Sequence, residues 1–350
     1  MLGYVRMEFL TGIWLGMPVW LWLTFVGVVL LILAFDLGVL HREAHEIGAR
    51  ESLRMSALYL GLGLSWAVAV YFIYLKQGTA GMLDSQLAAA TSPEAKAMTA
   101  VQLYLTGYLL EMALAMDNVF IISMILTYFA VPRIYQHRVL FWGILGVIVL
   151  RALMIGLGAA LVLKFSWVMY IFAAILIYTG IKMLSMVDEE PDIANNKLLK
   201  FLRGHLRVTD QLHGERFFVR LPDRKNANKI VLYATPLFLC LVLIEIADLV
   251  FAIDSVPAIF AITSDPFIVY TSNIFAILGL RTLYFTLSAL VHRFHYLKYA
   301  LALVLIFVGL KIFAGDFLFD GKVPASISLT VTVSLLLGGV VYSWWKTERA

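Results

Sequence analysis

Three carboxylates stand where carboxylates are costly. The stretch Ile244-Glu-Ile-Ala-Asp-Leu-Val-Phe-Ala-Ile-Asp-Ser-Val-Pro257 lies in an apolar run long enough to cross a bilayer, yet it carries Glu245, Asp248 and Asp254. A central Asp costs about 2.5–3.5 kcal/mol on insertion scales, so something in the protein, or bound by it, must meet these charges. An earlier stretch, Leu110-Glu-Met-Ala-Leu-Ala-Met-Asp-Asn-Val119, repeats the arrangement. Aligning Glu111 with Asp248 puts Asp117 on Asp254 and Asn118 on Ser255.

Neither stretch has a His or Cys beside its acids. The donors are carboxylates, the Asn118 amide, the Ser255 hydroxyl and backbone carbonyls, a set that suits Mg²⁺, Ca²⁺ or Mn²⁺ over Zn²⁺ or Cu⁺. Glu245 and Asp248 share a helix face, but Asp248 and Asp254 are about 240° apart on a straight helix. Pro257 follows closely, and a proline removes a backbone donor and crowds the preceding turn. The spacing therefore predicts a break near Phe251–Pro257, and another at Met116–Asn118, that would let Asp117 and Asp254 converge. Six acids at membrane depth (Asp36, Glu111, Asp117, Glu245, Asp248, Asp254) face four bases (Arg151, Lys182, Arg281, Lys311), leaving the charge one divalent cation would neutralise. The plainer alternative is that acids and bases simply pair to stitch a bundle, which is the role expected of the four bases.

The elements that must position these residues are membrane helices. The chain has 350 residues, of which 62% are hydrophobic and 14% charged, with a mean hydropathy of +0.89; soluble domains are far less apolar. Runs of about 20 apolar residues predict an all-α polytopic protein with nine spans, near 19–40, 53–75, 101–128, 137–163, 166–186, 231–263, 267–291, 297–317 and 324–345. The first hydrophobic run has no A-x-A site before it and reads as a retained span. With the N-terminus outside, most of the 27 Lys and Arg residues fall in inner loops, while Arg6, Lys76, Lys96, Lys164 and Lys322 lie outside; the positive-inside rule thus puts the C-terminus in the cytoplasm. Cys240, the single cysteine, excludes an internal disulfide or thiol pair. His41 and His45, four apart, are a possible metal pair or a solvated helix end.

The spans repeat. Gly146-Val-Ile-Val-Leu-Arg151 matches Ala276-Ile-Leu-Gly-Leu-Arg281, and Leu176-Ile-Tyr-Thr-Gly-Ile-Lys182 matches Leu305-Ile-Phe-Val-Gly-Leu-Lys311. Residues 101–186 and 231–319 therefore form two three-helix repeats of opposite orientation, flanked by 1–100 and 320–350. Such inverted repeats place a substrate site near the midplane at their junction. Between them, 187–230 reads as a cytoplasmic loop with a short β-hairpin from Arg216–Arg220 and Lys229–Tyr233. Its basic residues suit anionic lipid head groups, although a plain connector is the simpler reading, and they form no nucleic-acid surface.

Several stretches resemble the TerC family, close to its Alx branch: Asp36-Leu-Gly-Val-Leu-His-Arg42, Ala115-Met-Asp-Asn-Val119, Phe251-Ala-Ile-Asp-Ser-Val-Pro257, Asp265-Pro-Phe-Ile-Val-Tyr-Thr-Ser-Asn273 and Arg293-Phe-His-Tyr-Leu-Lys-Tyr299. The resemblance runs from about residue 19 and implies a multi-pass protein of the bacterial inner membrane, related to LysE-type exporters, that exports Mn²⁺ from the cytoplasm. It implies that Glu111, Asp117, Glu245, Asp248 and Asp254 lie on the metal path. The reading is then a non-enzymatic transporter with Mn²⁺ as cargo and no cofactor: Asp117 and Asp254 as paired ligands beside Asn118 and Ser255, Glu111 and Asp248 as further ligands or proton carriers, and Glu245 and Asp36 as relay or gate. Rival readings are a membrane redox modulator, a metal-sensing scaffold, and an intramembrane aspartyl protease, although no Gly precedes Asp117 or Asp254 as that last class requires.

Overall fold

The structure, a computed structural model, describes residues 10–35, 49–76, 84–185, 193, 196–223, 229–287, 297–318 and 323–347. The chain opens with a two-residue strand pair, β1 (Ile13–Trp14) and β2 (Met17–Pro18), then runs α1 (Val19–Phe35), α2 (Ala49–Lys76), the short α3 (Ser85–Ala88), α4 (Pro93–Tyr128), α5 (Arg133–Lys164) and α6 (Val168–Ser185). After α7 (Lys197–His205), strands β3 (Phe218–Pro222) and β4 (Ile230–Ala234) pair antiparallel, with Arg220 opposite Leu232. The remaining helices are α8 (Pro236–Ile262), α9 (Pro266–Leu287), α10 (Leu297–Leu318) and α11 (Ala325–Thr347).

Among the described residues, 7 helices are long and apolar enough to cross a membrane: α2, α4, α5, α6, α8, α10 and α11. The apolar stretches Val19–Phe35 and Pro266–Leu280 are shorter. Helix starts carry ordinary signals. Ser92 accepts from Ala95 N–H with Pro93 in the first turn of α4, and Pro236 opens α8 after Thr235. Large apolar side chains remain exposed one turn apart, Val149, Leu153 and Leu157 on α5 and Val250 and Ile253 on α8. In water such stripes would be a liability; in lipid they are the solvent-facing surface.

The helices interlock. α4 and α8 lie against each other at the centre; α4 also packs on α9 and α8 on α5, so each takes as neighbour the helix that follows the other. α6 and α10 form a closely packed pair. Their crossing is reciprocal: a Cβ on Gly180 would meet Ile306 Cγ1 at 2.6 Å and the Ala302 carbonyl at 2.7 Å, and one on Gly309 would meet Ile177 Cγ1 at 2.8 Å and the Ala173 carbonyl at 2.9 Å. Only hydrogen at both positions lets the backbones approach so closely.

Two apolar clusters fill the interior. One holds Tyr74, Leu87, Ala97, Ile262 and Phe267; the other holds Val131, Val139, Leu199, Leu237 and Cys240. The polar residues fall where the clusters meet. Arg151 lies four residues from Val147 of one and Ile155 of the other, and Asp248 likewise from Ile244 and Ala252.

The expected breaks are absent. α8 continues through Pro257 and α4 through Met116, Asp117 and Asn118. Pro257 removes one bond, to the carbonyl four residues earlier, while Val256 and Phe260 pack against Gly158 of α5 and hold the helix on both sides.

Candidate functional site

Because α8 is continuous, its acids do not converge. Asp248 faces α5 and α4, where Arg151 and Asn118 meet it. Asp254, six residues on, faces α6: Thr179 Oγ1 donates to its Oδ1 at 2.8 Å, and Lys182 lies near enough to act on it electrostatically. Asp117 lies in α4, but its side chain is outside the described residues, as are the side chain of Arg281 and all of Asp36, His41 and His45. The pairing of Asp117 with Asp254 thus has no described geometry, and Asp254 is engaged elsewhere.

Arg151 gathers the rest. It is 1% exposed, and its guanidinium is shared between both central helices. Nη2 and Nε hold Asp248 at 3.1 and 3.2 Å. Nη1 meets Glu111 of α4, Ser255 Oγ at 2.7 Å and Asn273 Oδ1 at 3.2 Å. Asn118 Nδ2 donates to Asp248 Oδ1 at 3.2 Å. Four helices, α4, α5, α8 and α9, thus contribute to one buried network. Counted along α8 from Pro236 it lies roughly 18 Å deep, near the middle of a hydrocarbon core.

Charge and hydrogen bonds are both unbalanced here. Two carboxylates against one guanidinium leave a net negative charge. Asn118, 4% exposed, has its Oδ1 without a partner, and so does the Nδ2 of Asn273. Glu245 Oε2 is a third buried orphan. Its carboxylate lies over Gly146 of α5, in space that any Cβ there would take. Buried polar atoms without partners are uncommon in native proteins, and three of those among the described residues fall together here. A cavity of about 30 Å³ opens beside them, lined by Asn118, Gly143, Val147, Asp248, Leu280 and Tyr284. That is room for about one water or one small ion. Among the described residues no three His, Cys, Asp or Glu side chains gather as a ready-made metal cluster. The donors on offer are the Asn118 amide oxygen, Asp248 and, behind Arg151, Glu111.

Lys311 is far from these acids in role: it is buried and donates to Ser328 Oγ of α11 at 3.1 Å. Sequence reasoning passed over Asn273 and Thr179. Asn273 had a readable signal, since Thr271-Ser272-Asn273 is a polar triplet inside an apolar helix. It passed over a second buried set too. Asp84 accepts from Thr263 Oγ1 and Ser264 N–H, both at 2.9 Å, while Asp265 accepts from Tyr74 at 2.7 Å and from Phe267 and Ile268 N–H.

Comparison with known proteins agrees with this architecture. Residues 96–350 match the profile described as "Integral membrane protein TerC family". The chain is 44% identical over 335 residues to "Putative membrane-bound redox modulator Alx" of Escherichia coli strain K12, covering 95% of this chain and 97% of that one. It is 42% identical over 335 residues to the protein of the same name in Salmonella typhi, covering 95% and 96%. It is 45% identical over 322 residues to an uncharacterized membrane protein of Rickettsia bellii, covering 92% and 96%. No solved structure matches it.

Proposed function

The chain belongs to the TerC family of integral membrane proteins, and from that premise we propose that it exports a divalent cation, Mn²⁺, through the Arg151 network. One observation carries this reading. A buried, net-negative carboxylate pair stands beside Asn118, whose amide oxygen is unpaired, and Asn118 and Asp248 both border a cavity of ionic size. Oxygen donors of this kind favour hard cations. Asp248 and Asn118 would meet the ion, with Glu111 behind them and Glu245 one turn earlier on α8. Asp117, Asp254 and Asp36 would serve further along the path.

The motion in this reading is one three-helix half rocking against the other. Its support is the swapped packing of α4 on α9 and α8 on α5, and the reciprocal Gly180–Gly309 crossing between the two proposed repeats, 101–186 and 231–319. α1 and α9 would complete nine spans, with residues 1–100, 187–230 and 320–350 outside the repeat. The basic loops favour an inner-membrane protein with its N-terminus outside and C-terminus in the cytoplasm. Carboxylates that release the ion would take up protons, so proton exchange is the natural coupling. The chemistry is transport, without a cofactor or bond-breaking step. The relatives' name suggests redox modulation instead, yet the single thiol, Cys240, is buried at 0% exposure in an apolar cluster.

Purified protein in proteoliposomes should move ⁵⁴Mn²⁺ along a gradient, and Asp248→Asn should reduce that flux at least about tenfold, as loss of a charged ligand would. Wild-type vesicles no leakier to ⁵⁴Mn²⁺ than empty ones would remove transport and leave the redox or sensor readings.

A further inference from the structure

We propose that Arg151 is a built-in competitor of the cargo: its guanidinium holds Asp248 in the unloaded protein, and the incoming cation takes Asp248 by displacing it. This deepens the transport reading and rests on it.

The geometry makes Asp248 the releasable partner. A guanidinium Nη1 has two hydrogens, and here it faces three acceptors, Glu111, Ser255 and Asn273. Arg151 can therefore let go of Asp248 and remain fully engaged on its other side. Asp248 is also the carboxylate that borders the cavity, whereas Glu111 does not line it. The Asn118 amide is fixed in sense, because turning it over would set its oxygen against the Asp248 carboxylate. Its Oδ1 is thus left without a competing donor, on a residue that borders the cavity.

Charge supports the same exchange. An ion entering with Arg151 still on Asp248 would crowd a cation against a buried guanidinium. With Arg151 withdrawn onto Glu111, one neutral pair remains there. Asp248 is then left beside the cavity without its counter-charge, free to meet the incoming cation.

The test is Mn²⁺ binding to the full-length protein in detergent, by equilibrium dialysis with ⁵⁴Mn²⁺. Removing the competitor in Arg151→Gln should tighten binding about tenfold, since a charge a few ångströms away shifts an ion's affinity on that scale. In Arg151→Gly, millimolar guanidinium chloride should compete with Mn²⁺ where equal sodium chloride does not, a signature that loss of packing would not produce. Should the Gln and Gly variants fail to fold, Arg151→Lys decides. It keeps the charge but loses the two-pronged grip on Asp248, and should still bind more tightly than wild type. Asp248→Asn separates the two ideas. If wild type does not bind Mn²⁺, or Asp248→Asn binds as wild type does, the site reading falls and this proposal with it. If Asp248→Asn abolishes binding while the Arg151 variants bind no more tightly than wild type, only the competitor role is overturned.

Discussion

At one end of the bundle Asp84 and Asp265 are buried around the turn that leads into α9; near its middle Glu111 and Asp248 are buried around Arg151. The first pair is satisfied. Asp84 receives Gln86 N–H, Thr263 Oγ1 and Ser264 N–H, and Asp265 caps α9 while taking the Tyr74 hydroxyl. Both carboxylates and the hydroxyl and N–H groups that meet them are paired, although the side-chain Nε2 of neighbouring Gln86 has no partner. The second pair shares the Arg151 guanidinium, and the orphaned atoms of Asn118 and Asn273 lie in its own network, with that of Glu245 one turn away. Burial and carboxylate count are alike, so neither explains the difference. Hydrogen bonding to the acids does: the clasp joins α2, α3 and α9 with each carboxylate met by several donors, whereas the inner network leaves the Asn118 Oδ1 and Asn273 Nδ2 unpaired.

The largest expected effect comes from removing the inner counter-charge. Arg151→Leu leaves two buried carboxylates facing each other, and breaking a buried pair in this way costs about 3–5 kcal/mol. Thermal unfolding in detergent should show that loss, and neutralising both acids in the same background, Glu111→Gln with Asp248→Asn, should recover most of it. No recovery would mean that Arg151 acts through packing and not charge. A smaller effect is expected at the clasp. Asp84→Ala strands the Thr263 hydroxyl and the Ser264 N–H, at about 1–3 kcal/mol, and ⁵⁴Mn²⁺ flux per folded molecule should stay at the wild-type level. A flux defect with intact folding would erase the distinction between the two regions.

How much of this was readable beforehand divides along the same line. Hydropathy located the helices, because about 20 apolar residues leave the chain few options in lipid. The paired acidic stretches named Glu111, Asn118, Asp248 and Ser255, and these are the residues that the fold gathers. Arg151 was visible as a charge in a span; that it is the centre was not, because helix spacing does not say which neighbour fills the space between two acids. Asp254 shows the converse. Its alignment with Asp117 suggested a shared site, but that inference depended on a break at Pro257, and packing against Gly158 keeps the helix whole. The clasp escaped notice because Asp84 and Asp265 lie at helix ends, where acids are ordinary caps and pattern alone assigns them no burial.

The smallest effect is also the sharpest test of the clasp, and it is read by pH. Asp265 lies in the turn outside the spans, and its carboxyl is pushed up from 3.8 to about 6, chiefly by burial and further by nearby Asp84. Hydrogen bonds from Tyr74 and from the first N–H groups of α9 pull the other way without cancelling the rise. A raised acid binds a proton more tightly folded than unfolded. Between 3.8 and about 6 the folded state therefore holds more protons, and stability falls as pH rises through that window, then levels off. Asp265→Asn keeps the oxygen that caps α9 and receives Tyr74 but cannot titrate. Thermal melts from pH 4 to 8 should show the variant flatter than wild type across the window, with little difference in melting temperature at its acid end, where Asp265 itself is neutral. If wild type and variant trace parallel curves, folding does not raise the Asp265 carboxyl and burial in the clasp costs it nothing.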